Sequence, residues 1–414
     1  MNRREFLKTA SWGAGSLVVS GCVWGAGTAA RQTHKNQPNI ILFISDDHGW
    51  ADTGCYGNNV VRTPNIDHLA KQGLRFTIAF AGSPTCTPSR SVLYTGLMPI
   101  RNGAHPNHSE IKPGVKTLPT YMKRLGYRVV LAGKVHVGPK DAFDFEYVPA
   151  RLTGDKAMPR PRVYGEDLDV EAVDKVIAEH TANHAEEPLF LVVSSWSPHV
   201  AWRWKRYDPE KVIVPPYLVD TPLTREAIAR YYTDISVLDR QIGSCLESVE
   251  KHGLADNTIF AYTSDQGAQF PHGKWNLYDV GIRTPLIVRW PGRTPEGSVS
   301  DAMVSLADLL PTFIEAGGGT APADIDGRSF LPVILGRKTE HREFIFATHT
   351  GDGKMNDFPI RCVRTRTHKY ILNLKSYKPY TSWITDGDDI RGRDYWNEWL
   401  EKAKTGPPAE RLVY

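Results

Sequence analysis

Four short segments of the chain are apolar almost without interruption: Asn39–Ser45, Arg128–Gly133, Leu189–Trp196 and Thr258–Ser264. Continuous rather than alternating hydrophobicity predicts strands buried on both faces, as in a parallel sheet. Between them run segments of helical periodicity, Pro64–Gly73, Leu118–Leu125, Val170–His180 and Thr224–Lys251. Strand and helix in alternation predict an α/β fold with a large, mostly parallel sheet flanked by helices. After Gly336 the pattern changes to shorter β-rich runs, Phe344–Thr348, Ile360–Arg364 and Lys369–Leu374, which predict an antiparallel sheet in a small α+β subdomain. The expected division is a main domain over 37–337 and a small C-terminal subdomain over 338–414.

Ligands of an open α/β sheet bind beyond the carboxyl ends of its strands. Each long apolar run is followed there by polar groups: Asp46-Asp47, Lys134-Val135-His136, Ser197-Pro198-His199 and Asp265-Gln266. One such end is ordinarily a solvated strand terminus. Four of them at one predicted edge point to a site.

Composition narrows the function. Apolar residues are 41% and charged residues 23% of 414, so most of the chain should fold. The 50 Lys and Arg against 46 Asp and Glu leave +4, too little for a nucleic-acid footprint, so an anionic ligand needs a local site. Five cysteines without CxxC spacing exclude a disulfide framework and a zinc ribbon, and Cys55, Cys245 and Cys362 read as buried thiols. Asn2-Arg3-Arg4-Glu5-Phe6-Leu7-Lys8, followed by the Gly-broken apolar stretch from Ala10 to Trp24, resembles a twin-arginine export signal. That stretch falls short of a bilayer span, so no transmembrane helix is expected. Residues 1–36 thus read as signal and linker, with export to the periplasm or cell envelope. Val19-Ser20-Gly21-Cys22 resembles a lipobox, which makes lipid anchoring at Cys22 a secondary expectation.

The segment Ser83 to Gly96, SPTCTPSRSVLYTG, carries the most chemistry. Pro88 has no N–H and a φ preset for a first helical turn, so a helix should begin near Cys86. Cys86 and Arg90 then stand four apart on one helix face. A small side chain at the positive end of a helix, backed by a guanidinium, is an anion-binding nucleophile position. A buried thiol beside a structural arginine fits the same residues.

Cys86-Thr87-Pro88-Ser89-Arg90 followed by Thr95-Gly96 resembles the signature of the type I sulfatases, whose cysteine is oxidised to formylglycine after translation. The resemblance extends in order through PNIILFISDD, YGNNVVRTPNIDHLAKQGLRF, GKVHVGP, WSPHV, SDQGAQFPHGKWNLYDVGIRTPLIVRWPG and DLLPT, from about Pro38 to residue 375. KVHVGP, FDFE, YDPEKVIVPPYLVDTP and HGKWNLYD are most similar to the heparan N-sulfatase (sulfamidase) branch. The implied fold is an alkaline-phosphatase-like α/β sandwich. Two departures stand out. Gln266 occupies a position where the family more often has Asn or His. The chain also ends at Tyr414 without the Leu-Tyr-Asp-Leu-like segment of many members, so the small subdomain reads as abbreviated or incomplete.

The resemblance implies a metal site of Asp46, Asp47, Asp265, Gln266 and residue 86 as formylglycine. Hard oxygen donors suit Ca²⁺, with Mg²⁺ as the alternative, and do not suit zinc. Three carboxylates, one divalent ion and Arg90, Lys134 and Lys274 sum to about +2, which would draw in a sulfate. The family mechanism makes residue 86 a gem-diol that attacks sulfur, held by Arg90 and Lys134. His136, expected on the same strand face as Lys134, would remove the second hydroxyl proton, and His199, with Lys274, would serve the leaving group. His105, His108, Trp202, Arg203, His272, His349 and Arg361 are further pocket candidates. The implied partners are a sulfated oligosaccharide or polysaccharide and a formylglycine-generating maturation enzyme. Competing expectations are an O-sulfatase on another polysaccharide, a phosphonate or phosphodiester hydrolase of the same superfamily, and an exported glycan-binding protein on an inactive scaffold.

Overall fold

Asn39–Ser45 (β1) lies near the middle of the main sheet in the computed structural model, with every residue buried. The structure describes residues 37–149, 151–152, 166–203, 205–353, 355, 357–378, 380–387 and 392–413, which belong to one unit, His34–Tyr414. The leader and Cys22 lie outside the described residues. Among the described residues no helix is long and apolar enough to cross a membrane.

In chain order the further strands are β2 (Leu74–Phe80), β3 (Arg128–Gly133), β4 (Glu146–Val148), β5 (Arg151–Leu152), β6 (Glu166–Asp167), β7 (Leu189–Ser194), β8 (Thr258–Ser264), β9 (Arg283–Arg289), β10 (Ser298–Ser300), β11 (Val304–Ser305), β12 (Ile345–His349), β13 (Ile360–Arg364) and β14 (Lys369–Asn373). The main sheet has the order β10-β2-β9-β8-β1-β7-β3-β4, with β11 also on β2. Only β9 runs against its neighbours in this sheet. The four strands expected from continuous apolar runs are adjacent, β8-β1-β7-β3, and all parallel. Ser45 pairs with Ser264, Ile44 with Ser194, and Gly133 with Ser194, so their carboxyl ends meet at one edge.

Strand residues alternate between two faces. Ile40, Leu42 and Ile44 join one core with Val129, Leu131, Phe190 and Val192. Ile41 and Phe43 join another with Val130, Leu191 and Val193. The helices are α1 (Pro64–Gln72), α2 (Cys86–Thr95), α3 (Pro99–Asn102), α4 (Leu118–Arg124), α5 (Val170–Asn183) and α6 (Pro222–Lys251), followed by shorter ones. α2 and Leu309–Ala316 cover the first face through Leu93, Leu310 and Phe313, while α1, α5 and α6 cover the second through Leu69, Ile177, Leu238 and Ile242. α6 begins two residues before the predicted Thr224, because Pro222 fits the first helical position and Thr221 Oγ1 accepts the Thr224 N–H at 3.3 Å.

The C-terminal sheet is the expected antiparallel one, β12-β13-β14. Its apolar face packs Ile345, Ala347, Ile360 and Cys362 against Phe80, Leu277 and Ile282. Thr348 N–H donates to Gly82 O at 2.9 Å, and Asn107 N–H to Gly351 O at 2.9 Å. These contacts carry the segment after β12 to the main sheet's functional edge. Cys245 and Cys362 are buried thiols as expected, whereas Cys55 is only half-buried, its N–H donating to Asp67 Oδ1 at 2.7 Å.

Candidate active site

Cys86 is the first residue of α2, and all ten residues of that helix are buried. Ser89 N–H donates to Thr85 O at 3.0 Å, and Thr87 N–H to Asn107 Oδ1 at 3.1 Å, which satisfies part of the first turn. Gly96 ends the helix with φ 65° and donates to Val92 O at 2.8 Å. A Cβ there would stand 2.9 Å from Ile325 Cδ1, so the Thr-Gly element is a requirement of the helix end.

The four strand ends converge on that helix. Arg90, one turn after Cys86, donates from Nε to Asp265 Oδ2 at 2.8 Å and from Nη1 to Ser194 Oγ at 2.6 Å. Lys134 Nζ pairs with Asp46 Oδ2, and Lys274 Nζ with Asp47 Oδ2 at 2.7 Å. Gln266 Nε2 lies 2.6 Å from Asp47 Oδ1 and 3.0 Å from Cys86 Sγ, which is 3.4 Å from Asp46 Oδ1. Asp46, Asp47, Arg90, Asp265 and Gln266 are fully buried, and Cys86, Lys134 and Lys274 are nearly so. Three carboxylates thus face three cations.

Backbone geometry explains how adjacent residues serve one site. Asp47 has φ 66°, so the chain leaves strand alternation and brings consecutive carboxylates together. At the end of β3, Gly133 has φ 94°, and a Cβ would stand 2.2 Å from Ser194 O. Only glycine permits that turn into Lys134. The expectation that Lys134 and His136 share a strand face is therefore corrected: β3 ends at Gly133 and His136 itself has φ 43°. Lys134 turns in to Asp46, while His136 faces His108, with Nε2 3.0 Å from His108 Nδ1. Asp47, His108, His136 and Trp275 are four of the five non-glycine residues with positive φ among the described residues, and all belong to this site. Left-handed backbone concentrated in one place is characteristic of functional sites.

The electrostatics follow from burial against opposite charge. Burial opposes ionisation of Asp46, but Lys134, His199, Arg90 and Lys274 outweigh it and hold its carboxyl well below the usual range. For Asp265, burial and then the Asp46 charge win over Arg90 and push the carboxyl up to about 7. Burial also opposes charge on Lys134 and Lys274, yet Asp46 and Asp47 respectively keep both ammonium groups protonated beyond their ordinary range. The Cys86 thiol is pushed up by burial and by Asp46, the opposite of what a thiolate nucleophile needs.

Donor chemistry fits a hard divalent cation. Ligand oxygens of Asp46, Asp47 and Asp265 lie within 4.8 Å of one another. Gln266 Oε1 and Arg90 Nη2 are buried without a hydrogen-bond partner among the described residues. A half-turn of the Gln266 amide would present its oxygen where Nε2 now faces Asp47.

His199 Nδ1 is 2.5 Å from Val200 O, which can only accept, so Nδ1 carries the proton and Nε2 is the atom 3.7 Å from Asp47 Oδ2. Burial, then Lys274, lowers this histidine to about 4. Beside these groups opens a small cleft that is also lined by Asn107, His108, Gln269, Trp275, Asp352 and Trp383. Of the further pocket candidates, His108 alone lines it. Trp202 stacks on Phe270 with centroids 5.1 Å apart, Arg203 is paired with Asp234 and Asp167, His272 lies 3.0 Å from Leu412 O, and His349 is the buried last residue of β12. His105 is half-buried outside the cleft lining, and Arg361 Nη1 donates to His349 O at 2.9 Å. Asp352 escaped sequence reasoning because its Thr-Gly-Asp-Gly setting carries only a turn signal.

The family model described as Sulfatase matches residues 38–319, and the one described as N-sulphoglucosamine sulphohydrolase, C-terminal, matches residues 270–386. An ulvan-active sulfatase of Formosa agariphila is 35% identical over 390 residues, covering 91% of this chain and 74% of the relative. The N-sulphoglucosamine sulphohydrolase of Homo sapiens is 28% identical over 387 residues, covering 83% and 74%. A protein solved in complex with its substrate D-glucosamine-2-N,6-O-disulfate superposes with a TM-score of 0.69 at 21% identity, over 90% of this chain and 99% of the other. At that identity the likeness concerns the fold.

Proposed function

The chain belongs to the sulfatase family and is a sulfuric ester hydrolase; from that premise we propose that it is exported and removes sulfate from the end of a sulfated glycan, with N-sulfoglucosamine as the preferred group. The observation that carries the reading is the convergence of Asp46, Asp47, Asp265, Arg90, Lys134 and Lys274 on residue 86 at the positive end of a buried helix. The preference for an N-linked group draws support from the segment matching the N-sulphoglucosamine sulphohydrolase C-terminal model, which supplies Lys274, Trp275, Asp352 and Trp383 to the cleft. A second reading, an O-sulfate on a polysaccharide, is favoured by the higher identity to the ulvan-active relative.

Residue 86 would be formylglycine, whose hydrate supplies a hydroxyl nucleophile where the buried thiol is unsuited. Asp46, Asp47, Asp265 and Gln266, with residue 86, would hold a calcium ion, with magnesium as the alternative, supplying positive charge against the sulfate oxygens. Arg90, fixed by Asp265 and Ser194 one helical turn after residue 86, would bring its positive charge to the hydrated aldehyde. Lys134 and Lys274 stabilise negative charge on the group being transferred. His136 accepts a proton on the residue 86 side of the cleft, and His199 gives one to the leaving nitrogen or oxygen. Because neutral His199 carries its proton on Nδ1, donation from Nε2 requires the imidazolium, which burial and Lys274 oppose more strongly than Asp46 and Asp47 favour it, so the donor role needs the added negative charge of a bound sulfate.

Sulfate release from a panel of N-sulfoglucosamine, 6-O-sulfated glucosamine, heparan sulfate and ulvan oligosaccharides, and a phosphonate monoester tests this reading. Highest kcat/KM on the N-sulfated sugar supports it. Release from O-sulfated sugars only rejects the sulfamidase preference, faster phosphonate hydrolysis rejects the sulfate reading, and binding without turnover rejects catalysis.

A further inference from the structure

The described residues hold a series of close polar contacts from the C-terminal segment into the cleft. Asp352 Oδ1 lies 3.3 Å from His108 Nε2, and His108 Nδ1 lies 3.0 Å from His136 Nε2. Asp352 is fixed from its other sides: Trp275 Nε1–H donates to Oδ2 at 2.6 Å and Asn107 Nδ2–H to Oδ1 at 3.1 Å. It is buried, while His108 is half exposed at its side chain. With three donors around it, and Lys274 nearby, the carboxyl stays ionised despite its burial.

Two groups compete for His108 Nε2: Asp352 Oδ1 at 3.3 Å, which only accepts, and Asn107 Nδ2 at 3.2 Å, which only donates but already donates to that same carboxylate oxygen. The charged acceptor is the stronger partner, which favours the His108 proton on Nε2 and leaves a neutral His108 offering the Nδ1 lone pair. That lone pair accepts the Nε2–H of His136. His136 is left with its lone pair on Nδ1, and this atom is buried with no hydrogen-bond partner among the described residues. Which ring nitrogen of a histidine is basic is set by the bond the other one makes.

We propose that Asp352 is a positioning residue that, through His108, holds His136 in the tautomer whose Nδ1 is the proton acceptor of the reaction. When Nδ1 takes a proton, the bond from His136 Nε2–H to His108 is strengthened and the new charge is shared towards Asp352. No further proton has to move. The groups facing His136 are Lys134 on its own loop, His108, Arg90 from α2 and Asp46 after β1. Three of these are cationic or potentially so, and with burial they depress its basicity, so the relayed negative charge of Asp352 acts against them. This role deepens the proposed function and rests on it for the identity of the reaction, although the tautomer itself can be read without any substrate.

Two measurements test the proposal. In the intact protein labelled with ¹⁵N-histidine, His136 should show a protonated Nε2 and a bare Nδ1 in neutral buffer, and Asp352→Asn should shift the population towards the other tautomer. A wild-type His136 protonated on Nδ1 alone overturns the proposal. In the second, kinetics with 4-nitrophenyl sulfate are compared for Asp352→Asn, His108→Asn and the double variant. Asn at 108 keeps an acceptor near the Nδ1 position but cannot relay charge. Asp352→Asn alone should lower kcat about tenfold or more with KM within about twofold, and move the acid limb of the pH profile to lower pH. In the His108→Asn background the same change should cost little, since its route is gone. Equal losses in both backgrounds with an unmoved acid limb would make Asp352 a packing partner of Trp275 and overturn the proposal. If no glycan of the panel is hydrolysed, the function fails while the tautomer measurement still decides this point.

Discussion

Arg90 Nε donates to Asp265 Oδ2 at 2.8 Å, and neither side chain is exposed. The pair ties the helix that presents residue 86 to the strand end that presents Asp265, a ligand of the proposed metal site. Breaking one partner of a buried pair leaves an uncompensated charge, which typically costs about 3–5 kcal/mol. Arg90→Met is expected to lose that much in chelating buffer by denaturant unfolding, with calcium restoring part of it by neutralising Asp265. A loss below about 1 kcal/mol in chelator would show that the pair does not organise the site.

Calcium should stabilise the protein independently of turnover. A cation binding only the folded state contributes about 2.7 kcal/mol at a hundredfold excess over its Kd. Thermal unfolding with calcium against chelator should therefore show an upward shift of Tm, strongly reduced in Asp47→Asn. Equal shifts in the wild type and the variant would place the cation elsewhere.

His199 should matter most when the leaving group is poor. His199→Ala is expected to slow release from a sugar amine or alkoxide about tenfold more than from an activated aryl sulfate, which needs little protonation. Equal losses on both would remove His199 from the donor role.

Acid should destabilise the fold through buried neutral histidines. His349 is fully buried, and burial lowers it to about 4 from an ordinary value near 6.5. Between those values the unfolded chain binds the extra proton, so stability falls as pH drops through that window. His349→Leu should lose less stability than the wild type between pH 7 and pH 5, by on the order of 1–2 kcal/mol. Parallel pH dependences would assign the acid loss to other groups.

Much of this was legible in the sequence because the strands that build the site are buried on both faces and announce themselves as apolar runs. β1 and β8 have the predicted limits, and the polar residues after them, after β3 and beyond β7 meet as expected. β2 and β9 carry no such signal. Their alternation with polar residues at Arg75, Thr77 and Thr284 gives no continuous run, and β9 is the strand that breaks the parallel pattern. The site residues supplied by backbone turns were less visible. Left-handed conformations at Asp47 and His136 follow from tertiary contacts and leave no periodic signal. Asp352 comes from a segment 266 positions after Cys86, and only the docking of the C-terminal sheet brings it to the cleft.

The reaction centre is most directly tested by the mass of the tryptic peptide Phe76–Arg90, measured on preparations that differ in specific activity. Conversion of the Cys86 side chain from CH₂SH to CHO lowers the mass by about 18 Da, or leaves it nearly unchanged if the aldehyde is hydrated, in which case trapping with a hydrazide identifies it. Sulfate release per mole of protein should rise in proportion to the converted fraction and extrapolate to none at zero conversion. Full activity in a preparation whose residue 86 is entirely thiol would contradict the account.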